Sequence, residues 1–252
     1  DYQEGVCVKE LAEKTNSKIA ICFQNRYNAT SQKLLEVLSE GSSGEVKAIK
    51  GLVAWHRADQ YYIDKPWRGK MDTAGGGTII NQAIHTLDLM QLIGGELAAC
   101  KASLSNITDY EVEVEDTAVA NFTFAEGTKG LYMSTNAYAT DSSVEVEVVT
   151  DQATFTIKNY QLFKVDFEGN VESLAVDARA EGTKSYYGPS HATFIQSFYN
   201  AIEADTDEYV SAEDALPSML MIDAMKKSSR EQRTIEMEEI KNDKSKNRCA
   251  RI

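Results

Sequence analysis

Hydrophobic and polar positions along the chain follow two periods, and the change from one to the other divides it. Val6 to Lys14 (V-C-V-K-E-L-A-E-K) has the spacing of a short amphipathic helix. Lys18 to Phe23 (K-I-A-I-C-F) is an apolar run of strand length, the pattern of a strand buried on both faces in a parallel sheet. A helix is predicted from about Ala29 to Glu40, with Leu34, Leu35 and Leu38 inward and Gly41 as its stop. Gly41-Ser42-Ser43-Gly44 reads as a turn and a domain junction. A strand follows from Glu45 to about Arg57, then a polar loop over residues 58–73. A second helix is predicted from Thr78, in capping position, to Gly94.

From Ala98 to Val176 the period becomes two. Ala118, Ala120, Phe122 and Phe124 alternate with Val119, Asn121 and Thr123, and Val144, Val146 and Val148 alternate with Glu145 and Glu147. Turn residues punctuate five or six such antiparallel strands, besides the one from Glu45. Residues 177–190 read as irregular. Helices are expected from about Ser190 to Ala204 and from Ser211 to about Ser229. The latter opens on Ser211-Ala212-Glu213-Asp214, which resembles a capping box, and tolerates Pro217 only in its first turns. A short strand, Thr234 to Met237, precedes a charged tail. The fold class is therefore α/β, with an α+β main domain: a large, mostly antiparallel sheet with helices on one face, preceded by one helix and one strand from the end of an α/β domain. No element is left over to cover the sheet's other face. Its mixture of valines and charges predicts a subunit interface there, making a homodimer or tetramer.

The stretch Trp67 to Gly94 carries the candidate chemistry. Trp67 and Arg68 lie on the polar loop, and Gly75-Gly76-Gly77 lets the backbone approach a ligand closely. In the apolar helix beyond, Asn81, His85 and Asp88 fall at i, i+4 and i+7 on one face. Such a row is costly to bury without partners or a ligand. An imidazole titrates near neutrality and suits proton transfer. Gln24, Asn25 and Arg26 end the first apolar run, where α/β sheets place their ligand crevice. Arg57, Arg68 and His191 can hold hydroxyls or phosphates, and Tyr61, Tyr62 and Trp67 can wall a pocket.

Charge and composition narrow the reading. The formal charge of −13 excludes the basic surface that nucleic acid requires. No apolar run approaches the roughly 20 residues of a membrane helix, so no membrane partner is expected. Cys7, Cys22, Cys100 and Cys249 are irregularly spaced and predict free thiols in a reducing, cytoplasmic compartment, without a metal site. The chain opens on D-Y-Q-E-G without an initiator Met, which fits a processed or shortened product.

In order and spacing, several motifs together resemble the glucose–fructose oxidoreductase and inositol dehydrogenase (Gfo/Idh/MocA) family. They are F-Q-N-R-Y-N, G-E-V, W-H-R with Y-Y and W-R-G, G-G-G-T-I-I-N-Q-A-I-H-T-L-D-L, V-E-D-T-A-V-A-N-F-T-F and Y-Y-G-P-S-H. The resemblance implies a Rossmann domain that binds NAD or NADP and a C-terminal domain that carries the substrate site and the oligomer interface. On that pattern residues 1–28 are the end of the dinucleotide-binding domain. Residues 29–240 are the substrate-binding and oligomerisation domain, and residues 241–252 a tail. The family's G-x-G-x-x-G turn and its E-K-P motif, whose lysine is catalytic, are not in this sequence. The chain by itself is therefore expected to be inactive.

The resemblance further implies that His85 and Asn81 are catalytic. Many members have Asp where this chain has Asn81, and an amide cannot act as a base. Arg57, Trp67, Arg68, Asp88 and His191 would bind a sugar, cyclitol or related polyol, and Gln24, Asn25 and Arg26 would face the cofactor. The alternative is a non-catalytic sugar-binding or dimerisation module lacking a Rossmann domain.

Overall fold

The computed structural model describes residues 1–178 and 190–242. The Tyr186–Pro189 segment and the tail beyond residue 242, both singled out above, lie outside the described residues.

Helices α1 (Tyr2–Thr15) and α2 (Ala29–Ser39) flank a short 3-10 turn at Gln24–Tyr27. Strand β1 (Val46–Ala54) leads into the loop, which folds into α3 (Gln60–Ile63), a 3-10 turn at Pro66–Gly69, and α4 (Met71–Ala74). The expected central helix is two helices, α5 (Thr78–Asn81) and α6 (Ile84–Gly94). Strands β2 (Leu97–Ser105), β3 (Thr117–Phe124), β4 (Lys129–Thr135), β5 (Glu145–Thr150), β6 (Ala153–Lys158), β7 (Gln161–Asp166) and β8 (Val171–Val176) follow. Helices α7 (His191–Ala204) and α8 (Ala212–Glu231), strand β9 (Ile235–Glu236) and α9 (Met237–Lys241) complete the described chain.

The strands form one sheet, ordered β8-β7-β6-β5-β1-β4-β3-β2-β9. Only β1 and β4 run parallel. Seven strands lie between Leu97 and Val176, not five or six. The hairpin turns, such as Asn159-Tyr160, are tighter than the punctuation suggested.

Helices α2, α6 and α8 pack on one face of the sheet: α2 over β6–β8, α6 over β1 and α8 over β2. The Gly41–Gly44 turn thus joins α2, in the helical layer, to β1, in the sheet beneath it. Helix α6 sits so close to β1 that a Cβ on Gly51 would strike Met90 and Thr86. Val146, Val148, Phe122, Phe124 and Tyr132 fill the core between the layers. The β5 valines therefore face the helices. The open face carries Glu145 and Glu147, paired with Lys50 at 2.7 and 3.1 Å, and its exposed apolar residues include Val119, Leu131 and Met133 from β3 and β4.

Two further expectations change. Lys18–Phe23 forms no strand. Its ladder contact is one bridge, Ala20 to Ser211, and Ile21 N–H donates to Val210 O (2.8 Å). A strand needs neighbours on which to spend its backbone groups, and within the described residues this segment has only that loop. Cys7 is disulfide-bonded, while Cys22 and Cys100 are free, which corrects the expectation of four free thiols. The capping box at Ser211 is present in both directions, and Pro217 is accommodated inside α8. Among the described residues no helix is long and apolar enough to cross a membrane.

Candidate functional site

The site is built where α5 gives way to α6. The glycines that precede it serve the fold. A Cβ on Gly77 would overlap the main-chain oxygen of Glu115. That oxygen accepts from Thr78 N–H (3.1 Å), and the Glu115 carboxylate accepts from the N–H groups of Gly77 (2.8 Å) and Ile79 (3.2 Å). The main chain of Glu115, a buried acid, occupies the space that Gly77 leaves. Burial pushes the Glu115 carboxyl up, against those donors. Thr78 makes no cap, and its hydroxyl is buried without a partner. Asn81 Nδ2 donates to Gly76 O (3.2 Å), so this amide closes the glycine loop.

The helix break has a cause that the periodicity does not show. Ala83 N–H donates to Thr78 O, five residues back (2.9 Å), and Gln82 is turned inward. Gln82 Nε2 donates to the Tyr61 hydroxyl (3.0 Å), and its Oε1 accepts from buried Asn136 Nδ2 (3.0 Å). Gln82 and Asn136 are thus site-forming residues missed by the search for a polar row. Gln82 was visible as a polar residue in an apolar run, but it lies off the face shared by residues 81, 85 and 88.

His85 stands in the first turn of α6. The Phe23 ring meets it edge-on, with centroids 5.9 Å apart. Gln24, itself buried, places its amide nitrogen 3.4 Å from His85 Nε2. An amide nitrogen only donates, so Nε2 accepts and the ring proton sits on Nδ1. Nδ1 is buried and has no hydrogen-bond partner. Burial, followed by the nearby charge of His191 at the start of α7, lowers the His85 pKa from 6.5 to about 4. The imidazole is therefore neutral at pH 7, rather than poised at neutrality as the residue type suggests.

Arg26 and Asp88 satisfy each other. Arg26 Nε and Nη2 reach the two Asp88 oxygens at 2.8 and 2.6 Å, and Ser218 donates to the same carboxylate (3.1 Å). The guanidinium also donates to Asp214 O (3.1 Å) and lies 5.5 Å from the Phe23 ring centre. Burial raises the Asp88 carboxyl pKa, against the pull of Arg26 and Ser218. The pair clamps the Gln24–Tyr27 turn to α6 and so sets Gln24 against His85.

A second group lies on the loop. Arg57, three residues beyond β1, pairs with Asp141 (3.0 Å) and stacks over Trp55. The Arg68 guanidinium lies 4.0 Å from the Tyr61 ring centre, with half-exposed Trp67 beside it. The bond from Tyr61 to Gln82 ties this group to the turn that precedes His85. His191 is exposed. Asn25 lines a cleft of 330 Å³ with Asn28, Leu89, Asp141, Asn159 and Tyr160. A larger depression of 620 Å³ runs along α7, and His85 is not among the residues that line it. Among the described residues no three His, Cys, Asp or Glu side chains converge to hold a metal ion.

The fold has many solved counterparts. The WlbA dehydrogenase from Bordetella pertussis, in complex with NADH and UDP-GlcNAcA, superposes with a TM-score of 0.78 at 22% identity, over 94% of this chain and 68% of that one. An oxidoreductase from Agrobacterium radiobacter, in complex with NAD+, L-tartaric acid and magnesium, gives 0.81 at 16% identity, over 95% and 71%. A levoglucosan dehydrogenase in complex with NADH gives 0.77 at 19% identity, over 88% and 66%. The chain thus spans about two thirds of the length of these proteins. No curated protein matches it in sequence. Residues 36–237 match the profile of the oxidoreductase family's C-terminal alpha/beta domain, and the chain accordingly belongs to the Gfo/Idh/MocA oxidoreductases, of which it carries that domain.

Proposed function

We propose that this chain is the substrate-binding half of an NAD(P)-dependent oxidoreductase that acts on a carbinol carbon of a sugar, cyclitol or related polyol. The observation that carries the reading is His85: a neutral imidazole at the head of a buried helix, with one ring nitrogen left unpartnered. With the ring proton on Nδ1, the unpartnered Nδ1–H can donate to a substrate oxygen, and Nε2 can accept a hydrogen bond from a substrate hydroxyl, or its proton, in place of the Gln24 amide. The imidazolium so formed is disfavoured by the same burial. His191, whose charge adds to that lowering, is exposed to water.

The residues present fit the nicotinamide end of a dinucleotide. Gln24 sits beside His85 at the end of the first apolar segment, and the next residue, Asn25, lines the 330 Å³ cleft. No phosphate-cradling glycine turn is among them: Glu115 closes on Gly77, and Ile80 and Lys226 stand against Gly75 and Gly76. When bound, the nicotinamide supplies the hydride acceptor or donor. The work of this chain is to hold the carbinol and move its proton. Arg26 serves by fixing Gln24, and Asp88 by fixing Arg26. Arg57, Trp67 and Arg68 wall the substrate side, and Asn81 contributes by holding the glycine loop.

The test is His85→Ala in the full-length protein, with nicotinamide reduction followed by absorbance on a panel of polyols. Turnover is expected to fall by about 10²-fold or more. A variant that keeps wild-type kcat on the best substrate would show that His85 only packs.

A further inference from the structure

We infer that Arg68 receives an anionic group of the substrate, a carboxylate or a phosphate, on the platform made by Tyr61; the inference rests on reading this loop as the substrate wall.

The chain has 39 acidic and 26 basic residues, so its cations have acids to choose from. Four of the five described arginines use them. Arg26 pairs with Asp88, Arg57 with Asp141, Arg230 with Glu231, and Arg233 with Glu231 and Glu239. Among the described arginines, Arg68 alone has no carboxylate within ion-pair distance. It is not a mobile surface side chain either. It is partly buried, its guanidinium stacks 4.0 Å from the Tyr61 ring centre, and its Nη1 donates to Tyr61 O (3.3 Å).

The platform is itself held. The Tyr61 hydroxyl accepts from Gln82, and Gln82 is fixed by Asn136, which is 2% exposed. Stacking removes water from one face of a guanidinium and leaves its N–H edge to find acceptors. The main-chain oxygen of Tyr61 takes one donor of the five, and the remaining fork matches the two oxygens of a carboxylate or phosphate. A neutral polyol would need only a neutral donor here. An uncompensated, preorganised cation beside the turn that carries His85 is the feature an anion would answer.

Calorimetry on this chain tests the inference with D-glucuronate, D-glucose 6-phosphate and D-glucose. At least one anionic sugar is expected to bind about tenfold more tightly than D-glucose. Arg68→Met, which keeps the stem and removes the fork, is expected to bring that anion within about twofold of D-glucose. Glucuronate and glucose 6-phosphate separate the carboxylate from the phosphate. If neither anion, nor L-tartrate nor inorganic phosphate, shows Arg68-dependent binding, the inference fails. Nicotinamide-dependent turnover of a neutral polyol by the full-length protein, indifferent to Arg68→Met, would sink the anion and keep the oxidoreductase. Arg68-dependent anion binding with no such turnover on any polyol would do the reverse.

Discussion

Replacing Asp88 with Ala separates a structural clamp from a substrate contact. Asp88 is 1% exposed, and the Arg26 side chain that it holds is 13% exposed. The mutation removes both contacts of a bidentate pair at 2.8 and 2.6 Å and the Ser218 bond. It leaves the guanidinium with one main-chain acceptor, Asp214 O, and the face of Phe23. Breaking a buried pair by deleting one partner costs about 3–5 kcal/mol, because the other charge stays desolvated. For a chain of this size each kcal/mol is worth about 2–4 °C, so Tm is expected to fall by roughly 6–20 °C. Thermal unfolding followed by circular dichroism at pH 7 measures it. The double variant Arg26→Met/Asp88→Ala carries no stranded charge and is expected to recover much of the loss. A single variant that melts within about 2 °C of the wild type would refute the clamp and return Asp88 to the substrate. A double variant as unstable as the single one would show that packing, not charge, is what was lost.

Two further outcomes are expected. The His85 pKa of about 4 lies below its ordinary 6.5, so the unfolded chain binds the extra proton between those values, and this contribution is complete above pH 6.5 and lost as pH falls to 4. It amounts to at most about 3 kcal/mol, and urea unfolding at pH 7 and pH 4.5 should show a steeper loss in the wild type than in His85→Gln; equal losses would contradict the burial argument. We also propose that copies of the chain pair through the open sheet face, so that light scattering at micromolar concentration gives at least a dimer mass and Leu131→Glu shifts it toward monomer. A wild-type monomer would remove that face from consideration.

Much of the architecture was legible because it rests on local periodicity. Alternation along Ala118–Phe124 assigns one face of β3 to the core whatever its neighbours are. The Ser211 capping box needs only residues three apart. The triple glycine and the polar residues 81, 85 and 88 were visible as exceptions in an apolar stretch.

What the row of polar residues means was decided by contacts distant in sequence. Asp88 is used by Arg26, 62 residues away, and by Ser218, 130 away. Gly77 is required by Glu115, and Asn81 serves Gly76. Gln82, which the helical pattern passed over, breaks the helix because Tyr61 and Asn136 offer its amide both a hydrogen-bond acceptor and a donor. The β5 valines show the same limit: alternation says that Val146 and Glu147 face opposite ways, but only the docking of α6 decides which face is covered. A period fixes relative orientation along one element. Which face is buried, and which buried polar group finds a partner, depends on elements that meet only in the folded chain, where the cost of desolvation makes each partner necessary.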